Sequence, residues 1–191
     1  MTELFLVFIA ACLANNLVLD YLLGTSAVFA VSRKIETAIG LSIAMLVILP
    51  VTSMFTYAIN LCILTPFDLE FLRLLFFVIL VSLIVLLIEK ILKKYWPILH
   101  EKTAVFIPIL LVNTSLVGAV LINIQQNQGL ITSLFFGIGS ASGFGLVVVI
   151  FTALRDRIIV SDIPVAFQGA SIMLITLGIL SMAFMGFTGL A

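Results

Sequence analysis

The stretch LFLVFIAACLANNLVLDYLLGTSAVFAV, residues 4–31, decides the fold. At about 1.5 Å per residue, a straight helix of roughly 28 residues reaches about 42 Å, longer than a ~30 Å hydrocarbon core. The apolar run carries Asn15, Asn16 and Asp20 near its middle, followed by Gly24-Thr25-Ser26. Glycine and small hydroxyl residues inside an apolar run mark places where a membrane helix breaks. The stretch therefore predicts a discontinuous or steeply tilted span. Acidic Glu3 precedes it, with no basic leader and no small-residue cleavage site after a short apolar core. It reads as a retained span, not a signal peptide.

Five further apolar runs follow, at about 37–63, 71–89, 103–124, 129–153 and 169–190. Each suits one helix of roughly 20 residues or somewhat more. Pro50 is expected to kink the second run, because it removes one backbone bond and crowds the preceding turn. Pro108 lies near the start of the fourth, where a missing N–H costs little. The predicted fold is an all-α membrane protein of six transmembrane helices in one domain. Its halves, about 1–95 and 96–191, read as inverted three-helix repeats, since an odd number of spans placed in tandem must insert with opposite orientation. Asn15-Asn16 in span one and Asn113-Thr114 in span four then take comparable places. Folds of this kind put their site where two broken helices meet near the midplane.

Composition agrees. Hydrophobic residues make up 63% of the chain and charged residues 9%, against about 25% charged in a soluble domain. A net charge of zero leaves no basic footprint for nucleic acid. Lipid is the expected surrounding for most of the surface. Cys12 and Cys62 lie in apolar runs without disulfide or metal-site spacing, and read as small buried hydrophobes. His100, in a lysine-rich loop, reads as solvated. The glycine-rich stretch Gly137 to Gly145 lacks the preceding strand that a dinucleotide site needs. Gly139 and Gly143, four apart, instead suit close helix packing.

Lysine and arginine set the orientation. Arg33 and Lys34 fall in the first loop, Lys90, Lys93, Lys94 and Lys102 in the third, and Arg155 and Arg157 in the fifth. That is eight of the nine basic residues, with Arg73 alone on the other side. The odd-numbered loops are expected in the cytoplasm and both termini outside, in the inner (cytoplasmic) membrane.

Polar groups at membrane depth are the candidate site. A charged carboxylate at a helix centre costs roughly 2.5–3.5 kcal/mol on insertion scales. Asp20 is thus expected to face the bundle interior, pair, or stay protonated. It reads either as an ion or proton site or as a structural carboxylate bonded to its neighbours or to a partner. Asn15, Asn16 and Asn113 can satisfy unwound backbone or coordinate a cation through their carbonyls.

The same residues carry a resemblance. Ala14-Asn15-Asn16-Leu17-Val18-Leu19, Leu23-Gly24, Val31-Ser32-Arg33-Lys34, Phe106-Ile107-Pro108, Asn113, Arg155-Asp156-Arg157, Phe167-Gln168-Gly169 and the closing Met182 to Leu190 run in order along nearly the whole chain. They resemble the Rnf (Rsx) type, A-subunit branch, of the Rnf A/E and Nqr D/E family of membrane subunits. The resemblance implies a six-span inverted repeat within a redox-driven Na+ or H+ pump that exchanges electrons between ferredoxin and NAD. It implies other complex subunits as partners, especially a homologous E subunit of opposite topology, with FMN and iron–sulfur groups on partner subunits. It also implies an interfacial [2Fe–2S] cluster held by two cysteines from each of two subunits. Here Ser26 and Thr114 stand at the two cysteine positions. Neutral hydroxyls replace poorly for soft, anionic thiolates, so no cofactor is assigned to this chain. No catalytic site for NAD or ferredoxin is read in it either. Two other functions fit the same residues: a stand-alone secondary transporter with Asp20 as coupling carboxylate, and a cofactor-free scaffold subunit.

Overall fold

A computed structural model describes residues 2–95, 104–126 and 129–187. His100 and Lys102 lie outside the described residues. All regular elements among the described residues are helical. The α-helices among the described residues are α1 (Thr2–Ile9), α2 (Thr25–Val31), α3 (Ile35–Ile59), α4 (Arg73–Tyr95), α5 (Ile107–Leu111), α6 (Thr114–Gln125), α7 (Leu130–Ile159) and α8 (Ala170–Phe184). Among the described residues, five helical stretches are long and apolar enough to cross a membrane: Ile35–Leu64, Glu70–Tyr95, Ile107–Gln125, Leu130–Ile158 and Ala170–Phe187. The shorter apolar stretch Glu3–Ala14 begins the first span.

The first span breaks as its sequence predicts. After α1 a π-helical turn, Ala10–Ala14, ends at Asn15, and helix resumes only at Thr25. The fourth run departs from the single helix expected of it. It divides at Val112-Asn113, where Asn113 is extended (φ −78°, ψ 112°) and caps α6. Asparagine in mid-run competes with helix by bonding its own following backbone, so the fourth span is broken like the first. Pro108 sits in the first turn of α5, where it is tolerated. Helix α3 continues through Pro50.

Helix α7 is the central post. Phe144, Val147, Val148 and Phe151 are fully buried along it, together with Leu41, Met45 and Leu49 of α3. The glycines of α7 explain how closely its neighbours approach. A Cβ on Gly139 would lie 2.6 Å from the Phe8 carbonyl oxygen, and one on Gly143 2.5 Å from the Cys12 carbonyl oxygen. On another face, Gly137 meets the Pro50 backbone and Gly145 meets Ser42. The packing role read for Gly139 and Gly143 holds, against α1 and its π turn. The outer spans differ. Helix α8 buries only Thr176, Leu177 and Leu180, and α4 turns Leu74, Leu75, Ile79 and Leu83 outward. Exposed leucine and isoleucine along a whole helix face are natural in lipid. Neither cysteine is fully buried: Cys12 is part-buried and Cys62 exposed. Cys62 sits in the π turn Asn60–Leu64, whose Leu64 takes the inward position.

Candidate functional site

The two breaks meet, and each is shaped by an asparagine. Asn16 is buried; its Oδ1 accepts from the Val18 N–H (3.0 Å) and its Nδ2 donates to the Cys12 carbonyl (2.9 Å). One amide thus serves the last turn before the break and the first residues within it. Asn113, also buried, repeats the first of these bonds: its Oδ1 accepts from the Ser115 N–H (3.0 Å), two residues on. Its Nδ2 faces Met45 Sδ at 3.7 Å. An unpaired backbone group in hydrocarbon costs several kcal/mol, and these asparagines supply local partners where the helix ladder stops.

Gly24 joins the two breaks. Its N–H donates to Thr114 Oγ1 at 2.9 Å, across 90 residues of sequence. Gly24 has φ +74°, and a Cβ there would collide with Ser115 Oγ and lie 2.9 Å from Asn113 Oδ1. Both conformation and space require glycine. Leu22, two residues earlier, also takes a positive φ of 54°, a strained choice for a bulky side chain. The remaining backbone of the first break closes on itself through Asn15 N–H to Ala10 O (2.7 Å), Asp20 N–H to Asn16 O (2.9 Å) and Leu23 N–H to Leu17 O (2.9 Å). From the sixth span, Ser181 Oγ donates to Leu19 O (2.9 Å).

The predicted site residues separate into two groups. Asn16 and Asn113 are buried and structural in their bonding. Asn15, Asp20, Ser26 and Thr114 are exposed on the chain alone. Asp20 therefore does not turn into this bundle, as one reading expected, and no ion pair among the described residues engages it. The sequence marks Gly24 as part of the first break but not its contact with the fourth span, and Ser115 and Met45 were not read as parts of the junction. For Ser115 a signal existed, since Asn113-Thr114-Ser115 before an apolar run is a helix-start pattern.

The chain matches the Rnf-Nqr family, described as "Rnf-Nqr subunit, membrane protein", over residues 4–191. It belongs to the Rnf-Nqr family of membrane subunits. Among its relatives is the A subunit of the ion-translocating oxidoreductase complex of Pasteurella multocida (strain Pm70), 45% identical over 190 residues, covering 100% of this chain and 99% of the relative. The protein of the same name from Pectobacterium carotovorum subsp. carotovorum (strain PC1) is 43% identical, covering 100% of this chain and 98% of the relative. That of Vibrio atlanticus (strain LGP32) is 41% identical, covering 100% and 99%. With this family membership, the apolar helices are those of a multi-pass membrane protein.

The [2Fe–2S] cluster implied by the family resemblance does not fit the residues present. Ser26 and Thr114 offer hydroxyls, and Thr114 Oγ1 already accepts from Gly24. Cys12 lies in the π turn of the first span, with its backbone carbonyl packed on Gly143, and Cys62 lies in the π turn after α3.

Proposed function

We propose that this chain is the A-type membrane subunit of an Rnf-type complex that couples electron transfer between ferredoxin and NAD to Na+ or H+ translocation. The observation that carries it is the full-length match to the A subunits of ion-translocating oxidoreductase complexes, at 41–45% identity. The structure supplies a physical reason to expect a partner. Irregular backbone at membrane depth is tolerated only where protein or a water-filled cavity covers it. Here Asn15, Asp20, Tyr21, Ser26, Val112 and Thr114 are exposed around the joined breaks. A homologous E subunit of opposite topology would cover them with its own breaks, and Asp20 would then lie at the seam and serve the ion path. FMN and iron–sulfur centres belong to other subunits in this reading. The termini lie outside, and the Arg- and Lys-bearing ends of the spans face the cytoplasm of an inner membrane.

The test is purification of the tagged full chain in mild detergent. The expected result is co-purification with a homologous membrane subunit and with flavin- and iron-bearing subunits. A chain that migrates alone, and drives ion uptake alone in vesicles, would replace this reading with the secondary-transporter one.

A further inference from the structure

A second polar region lies at the far end of the fifth span, away from the joined breaks. Arg155, in the last turns of α7, is part-buried; its Nη1 donates to the Phe29 carbonyl (3.1 Å) and to Ser32 Oγ. Neither Nε nor Nη2 has a hydrogen bond among the described residues, and no carboxylate pairs with Arg155 there. Asp156 and Asp162, the acids nearest in sequence, are both exposed. Arg155 lines a cavity of about 340 Å3 between α7, α8 and the segment that joins them. Ser161 and Gln168 contribute polar edges, while Phe151, Ile163 and Met173 form an apolar wall. The volume falls in the roughly 300–1,000 Å3 range of small-molecule sites.

We propose that this cavity holds the phosphate headgroup of an anionic phospholipid, with an acyl chain against the α7–α8 wall. A part-buried guanidinium without a carboxylate partner favours an anion, and its planar fork suits phosphate oxygens. Nε and Nη2 are left without a hydrogen bond among the described residues by the bonds that Nη1 makes to Phe29 and Ser32. The site lies at the Arg- and Lys-bearing ends of the spans, where basic pockets between helices take lipid headgroups. The tail has a path, because α8 buries only Thr176, Leu177 and Leu180 and leaves its remaining surface to the bilayer. Free phosphate shares the headgroup's chemistry but makes no use of the apolar wall. A neighbouring subunit's carboxylate is the competing occupant.

The experiment uses the full chain with its co-purifying subunits, exchanged into micelles containing phosphatidylglycerol or phosphatidylcholine and examined by native mass spectrometry. The expected result is one retained phosphatidylglycerol per chain and little phosphatidylcholine. Arg155→Gln should lower that occupancy roughly fivefold to tenfold. Since Arg155 also ties α7 to the end of α2, a second variant spares it: Ser161→Glu places a carboxylate on the cavity edge and should lower occupancy similarly. Arg157→Gln, outside the cavity lining, should retain the lipid. Equal retention in the Arg155→Gln and Ser161→Glu variants overturns the proposal. So does displacement of the lipid by inorganic phosphate at equal concentration. A photo-crosslinker at position 161 that labels a neighbouring subunit, with no lipid retained, assigns the cavity to that subunit instead.

Discussion

The N–H of Gly24 and the hydroxyl of Thr114 form a 2.9 Å hydrogen bond that joins the broken first span to the broken fourth. The bond stands where the family resemblance places a cysteine in each half. One of those places now holds the acceptor, Thr114, and the other, Ser26, lies two residues beyond the donor. The two halves are thus held at this point by a neutral hydrogen bond of the chain itself.

Thr114→Val keeps the side-chain shape and removes the acceptor, leaving the Gly24 N–H unpaired. Loss of a partner for a buried donor costs about 1–3 kcal/mol. The expected outcome is a lower unfolding temperature in detergent, restored by Thr114→Ser. An unchanged melting curve for Thr114→Val would show that water or another group serves Gly24.

Asn16 and Asn113 make the same bond to the residue two positions on. Removing a capping side chain costs roughly 0.5–2 kcal/mol. Asn113→Ala and Asn16→Ala should each destabilise the purified protein by that order. Asn16→Ala should cost more, since its amide also serves the Cys12 carbonyl. Thermal unfolding of the two variants side by side measures the difference, and the reverse order would refute the paired-cap account.

Gly143→Ala drives a methyl group toward the Cys12 carbonyl, whereas a Cβ on Gly178 meets nothing within 4 Å. Overpacking a tight contact costs about 1–3 kcal/mol, and alanine improves on glycine within a helix by up to ~1 kcal/mol. Gly143→Ala is therefore expected to reduce folded yield and Gly178→Ala to leave it equal or higher, read by size-exclusion chromatography in detergent. Equal behaviour of the two would remove the argument for an α1–α7 seam built on glycine.

Cys62 reports orientation through a cysteine the chain already carries. It is exposed in the turn after α3, at the end of the second span away from Arg33 and Lys34. In a Cys12→Ala background, a membrane-impermeant thiol reagent is expected to label it in intact cells with a permeabilised outer membrane. Labelling only after the inner membrane is opened would invert the topology.

Asp20 is exposed on this chain, so Asp20→Asn should change the stability of the chain alone by less than about 0.5 kcal/mol. In vesicles carrying the whole complex, the same variant is expected to lower redox-driven ion uptake while the subunits still co-purify. Full uptake would favour a structural role for the carboxylate.

The six spans and the break in the first were legible because hydropathy and mid-run polar residues act locally. Asn113 was legible as a polar residue at membrane depth, and its capping role follows from the same chemistry. The division of the fourth run was harder to read, since one asparagine between long apolar stretches also fits an unbroken helix. The partnership of Gly24 with Thr114 was not legible, because it depends on how two distant segments cross. Nor was the outward placement of Asp20 and Cys62, since periodicity does not say which face of a membrane helix meets its own bundle, a partner or lipid.

The span of chain between Gly24 and Thr114 also sets a clock. The two are 90 residues apart, and ribosomes add about 5–20 residues per second, so the donor is made roughly 5–18 s before its acceptor. Throughout that interval the first break exists without the fourth. The nascent first span reaches the insertion machinery as an unfinished element, and its closure onto the fourth waits on synthesis.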